Sequence, residues 1–274
     1  MGGRHLSRTR PGLWPRLVGS CSIVDFTTVS ENRPFLEVSG FCPVCETAAI
    51  FRSDSEWLRD FFLCQICYSL PRERSLFYVL NLLYPNWRTL KIHESSPVAR
   101  GASLKLKQEC ANYTPTQFDP NVPFGKLNPD ATYRSEDLEH QTFADETFDL
   151  VVTQDVFEHL FRPDLAAQEI ARTLRLGGAH ILTVPMVQKN RPSRRRAVRK
   201  GGEIINLLPA EYHGNPMDPS GSLVTFDWGY DFSEYISAHS GLSVTIFSLD
   251  ILEYGLRASF LEVVVCRKIT PPDL

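Results

Sequence analysis

The sequence predicts an α/β fold: a doubly wound, mostly parallel sheet with a small ribbon-like module ahead of it. Three observations carry this expectation. Between residues 71 and 185, apolar strand-like runs alternate with helix-length amphipathic runs. Two C-x2-C pairs precede that alternation. Two further β-rich segments close the chain near enough to each other to pair antiparallel.

Bulk properties bound the problem. The 274 residues suit one large domain, or one domain and a small module. Hydrophobic residues make up 43% and charged residues 22%, enough apolar side chain for a full core. A formal net charge of −3 gives no global attraction to nucleic acid or anionic lipid. No apolar run approaches the roughly 18 residues of a membrane span. Residues 1–35 open arginine-rich and without the apolar core of a signal peptide, so a basic, flexible leader is expected there.

Residues 36–70 hold four of the seven cysteines, as "FCPVCE" (Cys42, Cys45) and "FLCQICYS" (Cys64, Cys67), with eighteen residues between the pairs. Each C-x2-C bends two thiolates round one ion, and four sulfurs complete a tetrahedron. A structural Zn2+ in a zinc-ribbon-like module is therefore expected, with no open position for catalysis. The metal would staple a segment too short to build its own core. Reduced thiols and the lack of targeting signals point to a cytoplasmic protein. Two redox pairs are the competing reading.

The body, residues 71–274, follows in order. "PRERSLFYVLNLLYP" (71–85) repeats Leu76, Val79, Leu80 and Leu83 at helical spacing and ends at Pro85. "TLKI" (89–92) is a short strand, "ASLKLKQECANY" (102–113) a helix, and "TPTQF" (114–118) a second strand closing on Asp119. "TFDLVVTQD" (147–155) is continuously apolar before its polar end, as a buried parallel strand requires. "PDLAAQEIARTLRLGG" (163–178) reads as a helix stopped by its glycine pair, and "AHILTVP" (179–185) as the next strand. "DFSEYISAHSG" (231–241) is a last helix, and "LSVTIFSLD" (242–250) with "FLEVVVCRK" (260–268) is the closing pair.

The block "EDLEHQTFADETFDLVVTQDVFEHLFRPDLAAQEIARTLRLGGAHILTVP" (136–185) resembles the core of class I S-adenosylmethionine-dependent methyltransferases. That family has an acidic residue before an "F-D" strand, then "EH", then a helix ending in "GG", then a strand. The resemblance covers fifty residues closely and, more loosely, residues 70–268. The cysteine module, "HESSP" and the later "EYHGNP" further resemble one bacterial branch, in which the usual glycine motif is replaced. The resemblance implies a seven-stranded sheet whose last strand is antiparallel.

It also implies a site at the carboxyl ends of the strands. His93, Glu94, Ser95 and Ser96 stand where the family has its glycine-rich loop. S-adenosyl-L-methionine has no phosphates, so Glu94 could accept its ammonium where a dinucleotide would need a nest of donors. Gly101 would ease the start of the following helix. Asp119 lies where a carboxylate holds the ribose hydroxyls, with a turn aspartate as the plainer reading. Asp137 lies where the adenine amino group is bound, and Leu138 beside the base. Gln154 and Asp155 end the fourth strand and face cofactor or substrate.

Catalytic candidates are Asp155, His159 and His213. The last sits in "PAEYHGNPMDPSGSLVTFDWGYDF" (209–232), a loop-rich segment suited to covering a substrate. Asp227, Trp228 and Asp231 are candidate substrate contacts by residue type alone. "KNRPSRRRAVRK" (189–200) has seven basic residues in twelve, which reads equally as an anion clamp or as a solvated loop.

Three functions fit. The first is methylation of a hydroxyl or amine on a small, sugar-like biosynthetic intermediate. The second is RNA methylation, using the zinc module and the basic loop. The third is a non-catalytic binding relic. Net acidity and "TQDVFEH" in place of an Asn/Asp-Pro-Pro-aromatic motif count against the second.

Overall fold

The computed structural model describes residues 34–215 and 217–269. The leader expected over 1–35 lies outside the described residues except for its last two.

A three-stranded antiparallel sheet comes first. Strands β1 (Leu36–Cys42) and β2 (Thr47–Ser53) form a hairpin. After a single turn, α1 (Leu58–Phe61), strand β3 (Leu63–Cys64) pairs with β2. The two cysteine knuckles have matching geometry. Glu46 and Tyr68, each just after the second cysteine of its pair, adopt φ of +53° and +55°. Their N–H groups donate to the carbonyls of Cys42 and Cys64 at 2.8 and 3.0 Å. These bonds curl each C-x2-C back on itself.

Helix α2 (Pro71–Leu83) follows, with Pro71 preset for a first helical position. Its N–H groups are orphaned at that end, and the Glu73 carboxylate accepts one from Leu70 at 2.7 Å. Leu76, Phe77, Val79 and Leu80 are fully buried, each contributing about 2 kcal/mol of transfer free energy. The chain continues through β4 (Lys91–Ser95), α3 (Gly101–Glu109), β5 (Asn112–Gln117), β6 (Arg134–Ser135), β7 (Phe148–Gln154), α4 (Pro163–Thr173) and β8 (Leu174–Thr183).

Short paired strands then fold over the carboxyl ends. They are β9 (Arg194–Arg195), β10 (Ala197–Lys200), β11 (Glu203–Asn206), β12 (Tyr212–His213), β13 (Ser222–Leu223) and β14 (Phe226–Asp227). Helix α5 (Phe232–Ser240), β15 (Ser243–Phe247) and β16 (Val263–Arg267) complete the chain.

The main sheet has seven strands in the order β15-β16-β8-β7-β4-β5-β6. The β8-β7-β4-β5-β6 stretch is parallel, and β16 runs antiparallel to both β8 and β15. This Rossmann-like mixed sheet agrees with the predicted class. Period-2 alternation sends side chains into two cores. Ile92, Leu150, Val152, Ile181 and Val265 meet α2, α3 and the cysteine module. Val151, Leu182, Val264 and Cys266 meet α4 and α5.

Residues 36–70 therefore share a core with the body: Phe51, Phe62 and Leu76 belong to one cluster. The described residues, from Pro34 on, form one unit. A Cβ on Gly40 would stand 1.9 Å from the Glu253 carbonyl, so glycine allows β1 to lie directly on the connection to β16.

Several boundaries differ from the expectation. α4 stops at Thr173, five residues before the expected end, and β8 begins at once. Leu174 pairs with Phe148, the ladder shifts register, and pairing resumes at Ala179. A side chain at Gly178 would meet the Asp149 carbonyl at 2.7 Å, so the glycine pair serves a bulged strand crossing and not a helix stop. β4 extends to Ser95, beyond the expected end at Ile92, because "HES" pairs with both β5 and β7. β6, two residues long, and the strands of the 189–213 region were not anticipated.

Candidate functional site

A cavity of about 380 Å³ lies at the carboxyl ends of the parallel strands. Ser95 and Ser96 leave β4 into it, Gln117 and Phe118 leave β5, and Gln154 and Asp155 leave β7. Asp137 and Leu138, just after β6, line the same side. The opposite wall is built by His159, Leu160, Phe161, Arg199, Ile204, Gly214 and Leu223. Hairpin β10–β11 supplies Arg199 and Ile204. Its turn is Gly201-Gly202, with φ of +59° and +87°.

Two non-glycine residues in this lining hold left-handed backbone, Ser96 (φ +60°) and Asp155 (φ +51°). Each costs about 1 kcal/mol or more. Ser96 is held there by its N–H donating to the Thr116 carbonyl at 2.8 Å. The loop that lacks glycines thus still makes the turn a glycine would make. Gly101 has φ +49°, and a Cβ there would strike the Glu73 carboxylate at 2.4 Å.

The structure brings together Ser95, Ser96, Asp137, Leu138, Gln154, Asp155 and His159 of the expected residues. It places Glu94, His93 and Asp119 elsewhere. Glu94 is 1% exposed and lies beneath the cavity floor. Its carboxylate accepts from Ser103 Oγ at 2.6 Å, Tyr113 Oη at 2.6 Å and Gln154 Nε2 at 2.9 Å. Burial pushes its pKa up, against those three hydrogen bonds. It aims the Gln154 amide and is not turned toward a ligand.

His93 lies on the other face of β4 between Phe143 and Phe148, with ring centroids 5.2 and 5.1 Å away. Burial, reinforced by Arg134, pushes its pKa down to about 3, so it is a neutral core histidine. Asp119 accepts from Tyr133 Oη at 2.7 Å and from the Asn121 N–H at 3.0 Å, and closes a turn beside the cavity. β5 ends before it, so Gln117 and Phe118 occupy the strand-end position.

Asp155 is tied into ion pairs. Its Oδ2 is 2.7 Å from Arg59 Nη2 and 2.9 Å from Arg72 Nε, and Thr183 Oγ1 donates to its Oδ1 at 3.0 Å. Burial raises its pKa, but the two guanidiniums outweigh that and hold it below the usual carboxylate value. Arg59 comes from the cysteine module and also donates to the Phe260 carbonyl. Arg72 comes from α2. A paired, ionised carboxylate of this kind is a poor proton acceptor.

Glu158, His159 and His213 converge at the opposite wall. Glu158 Oε1 lies 3.7 Å from His159 Nε2 and 3.8 Å from His213 Nδ1. Glu158 is 1% exposed, and among the described residues no side chain donates to either carboxylate oxygen. Burial, followed by the charge of Asp155, raises its pKa well above normal. His159 Nδ1 is 2.9 Å from the Leu223 carbonyl, which accepts only and so assigns the ring proton to Nδ1. Burial pushes the His159 pKa down to about 4, leaving Nε2 an available lone pair.

The substrate contacts expected at Asp227, Trp228 and Asp231 are not free. Asp227 pairs with Arg194 and Arg196 at 2.7 and 3.0 Å. Trp228 is fully buried against Phe226, and Asp231 accepts from Ser193 Oγ at 2.6 Å. Part of the basic segment 189–200 is engaged in the same way. Lys189 pairs with Glu262, Arg196 also pairs with Glu211, and Arg195 donates to the Phe161 carbonyl.

The four module sulfurs are clustered. Cys42 and Cys67 Sγ are 3.7 Å apart, and Cys45 and Cys64 Sγ 3.9 Å. A tetrahedral site with bonds near 2.3 Å has edges of about 3.8 Å. Burial, with the neighbouring Cys42 and Cys67, pushes the Cys45 thiol well up, so four thiolates here require a cation among them. Ser69 Oγ lies 3.2 Å from Cys67 Sγ and 3.6 Å from Cys42 Sγ. These residues fit the group the spacing implied.

Arg59 and Arg72, which carry no motif of their own, and Glu158 join the site beyond the residues the sequence singles out. The signal for Glu158 was its place beside His159, in "EH" after a strand. Gly201-Gly202 between two β-prone runs was the available signal for the covering hairpin.

Residues 101–182 match a family model described as a methyltransferase domain. Compared with curated proteins, the chain matches none. Among solved structures it is similar to an S-adenosylmethionine-dependent methyltransferase from Mesorhizobium loti, at 11% identity and TM-score 0.45 over 70% of this chain and 98% of that one. It is also similar to Streptomyces venezuelae DesVI, at 13% identity and TM-score 0.45 over 72% and 91%. A third is the 1,6-didemethyltoxoflavin-N1-methyltransferase of Burkholderia thailandensis, solved with 1,6-didemethyltoxoflavin and S-adenosylhomocysteine bound, at 10% identity and TM-score 0.48 over 73% and 79%.

Proposed function

We propose that the chain is an S-adenosylmethionine-dependent methyltransferase acting on a hydroxyl or amine of a small, sugar-like intermediate in the cytoplasm. One observation carries the reading: the segment matching the methyltransferase domain supplies the ends of β5 and β7, which with the end of β4 surround a cavity that remains open despite the missing glycines. Asp137 and Leu138 would hold the adenine end. Gln117 and Phe118 would flank the ribose in place of Asp119. Ser95, Ser96 and Gln154 would meet the amino-acid end, with Arg100 on the same wall. The bound cofactor supplies an electrophilic methyl group on a sulfonium.

The protein's own work is then alignment, exclusion of water and handling of a proton. Hairpin β10–β11 and the β12–β13 segment cover the acceptor side. Asp155, held ionised between Arg59 and Arg72, positions the β7 terminus. His159 Nε2, neutral and unblocked, stands where an acceptor hydroxyl could give up its proton. Four thiolates at Cys42, Cys45, Cys64 and Cys67 would hold a structural zinc that fixes Arg59 in place.

The pairing of Arg194 and Arg196 with Asp227, together with the net charge of −3, favours a small acceptor over RNA. Calorimetric titration with S-adenosylhomocysteine tests the reading. Micromolar binding, weakened at least tenfold by Asp137→Ala (about 1.4 kcal/mol or more), is expected. A folded protein that binds no S-adenosylhomocysteine would refute it.

A further inference from the structure

Glu158, His159 and His213 have a geometry that hydrogen bonding does not account for. Separations of 3.7 and 3.8 Å from Glu158 Oε1 to the two histidine nitrogens are too long for hydrogen bonds. All three candidate ligand atoms nevertheless lie within 4.8 Å of one another. Nitrogen and oxygen ligands at 2.0–2.2 Å from a common tetrahedral centre are about 3.4 Å apart; the two Glu158–histidine separations exceed that by a few tenths of an ångström, and the third edge is no longer than 4.8 Å. A buried carboxylate with no donor needs either a proton or a cation.

We propose that Glu158, His159 and His213 form a divalent-metal site at the acceptor wall of the cavity, with zinc the favoured ion. Two histidines and one carboxylate are a known donor set for zinc with one position left open. The outer contacts also suit a metal. The Leu223 carbonyl accepts from His159 Nδ1 at 2.9 Å and leaves Nε2 as the ligand atom. Glu211 Oε1 lies 3.6 Å from His213 Nε2, the nitrogen that does not face Glu158. Metal-bound histidines commonly have such partners on their second nitrogen.

His159 and Gly214 line the cavity, so the open position would meet the acceptor there. The site rests on the methyltransferase reading only for its use: a cation here would acidify a coordinated acceptor hydroxyl in place of a free imidazole base. It therefore selects acceptors with an oxygen donor over simple amines.

Zinc content of the purified, zinc-dialysed full chain tests the proposal, with Co2+ replacement to separate the sites. Cobalt in the four-cysteine module gives intense sulfur-to-metal bands, and cobalt bound by nitrogen and oxygen gives weak visible bands only. Two equivalents are expected in the wild type. One equivalent, with the sulfur bands kept, is expected in Glu158→Gln and in His213→Ala.

A wild type that takes one equivalent, or variants that keep both, would overturn the site. S-adenosylhomocysteine titration of the same samples separates the two readings. Two zinc equivalents without S-adenosylhomocysteine binding would remove the methyltransferase function and leave the metal site standing.

Discussion

Asp155 shows how position and role can part company. It ends β7, where an acid facing the cofactor or substrate is expected, and it does line the cavity. Its carboxylate is nevertheless shared by Arg59 and Arg72, whose side chains are 7% and 17% exposed. Asp155→Asn removes the charge and leaves two guanidiniums from different elements without a partner. A loss of about 3 kcal/mol is expected, toward the lower end for a broken buried pair because Asp155 is partly solvated. Urea unfolding measures it. A drop in methylation rate at unchanged stability would instead make Asp155 a catalytic group. Glu94 teaches the same lesson from below the floor: a motif position, three hydrogen bonds, and no exposure to a ligand.

At the scale of elements, the cysteine module is a wall of the main core. Arg74 on α2 donates to the Phe62, Ser69 and Gly255 carbonyls, so one buried guanidinium ties the module, the helix and the approach to β16 together. Burial lowers its pKa to about 10, and it stays charged at neutral pH. Stripping the zinc proposed for the four cysteines should therefore act at a distance. After treatment with a strong chelator, or in Cys64→Ser, unfolding of residues 36–70 releases Arg59 from Asp155. S-adenosylhomocysteine affinity should fall together with melting temperature. Hydrogen exchange should show α2 amides losing protection with those of β1 and β2. An independently folded module would leave both affinity and α2 protection unchanged.

For the whole molecule, the net charge of −3 and the internal pairing of the arginines in 189–200 point the same way. Three of the seven cations of that segment, Lys189, Arg194 and Arg196, are held by carboxylates, and no described helix is long and apolar enough to cross a membrane. Titration with RNA in gel-shift experiments at 50 and 200 mM salt should show at most weak retention, with no steep salt dependence. A slope equivalent to six or more phosphate contacts would revive the RNA reading.

The sequence by itself determined the alternation of β4, α3, β5, β7, α4 and β8, the closing strand pair and the two cysteine knuckles. Those features depend on local periodicity and spacing, which a linear reading can measure. It also marked Ser95, Ser96, Asp137, Leu138 and Gln154, because strand ends in this fold open on one crevice. Only the tertiary structure decided which of the polar residues near those ends are free. His93 and Glu94 are adjacent in sequence, and the pleat sends them to opposite faces, one against phenylalanines and the other onto three donors. Glu158 and His213 are 55 positions apart, and the fold of the β12–β13 segment brings them to 3.8 Å. Burial and charge pairing are sums over neighbours from distant segments, so they exist only once the chain has folded.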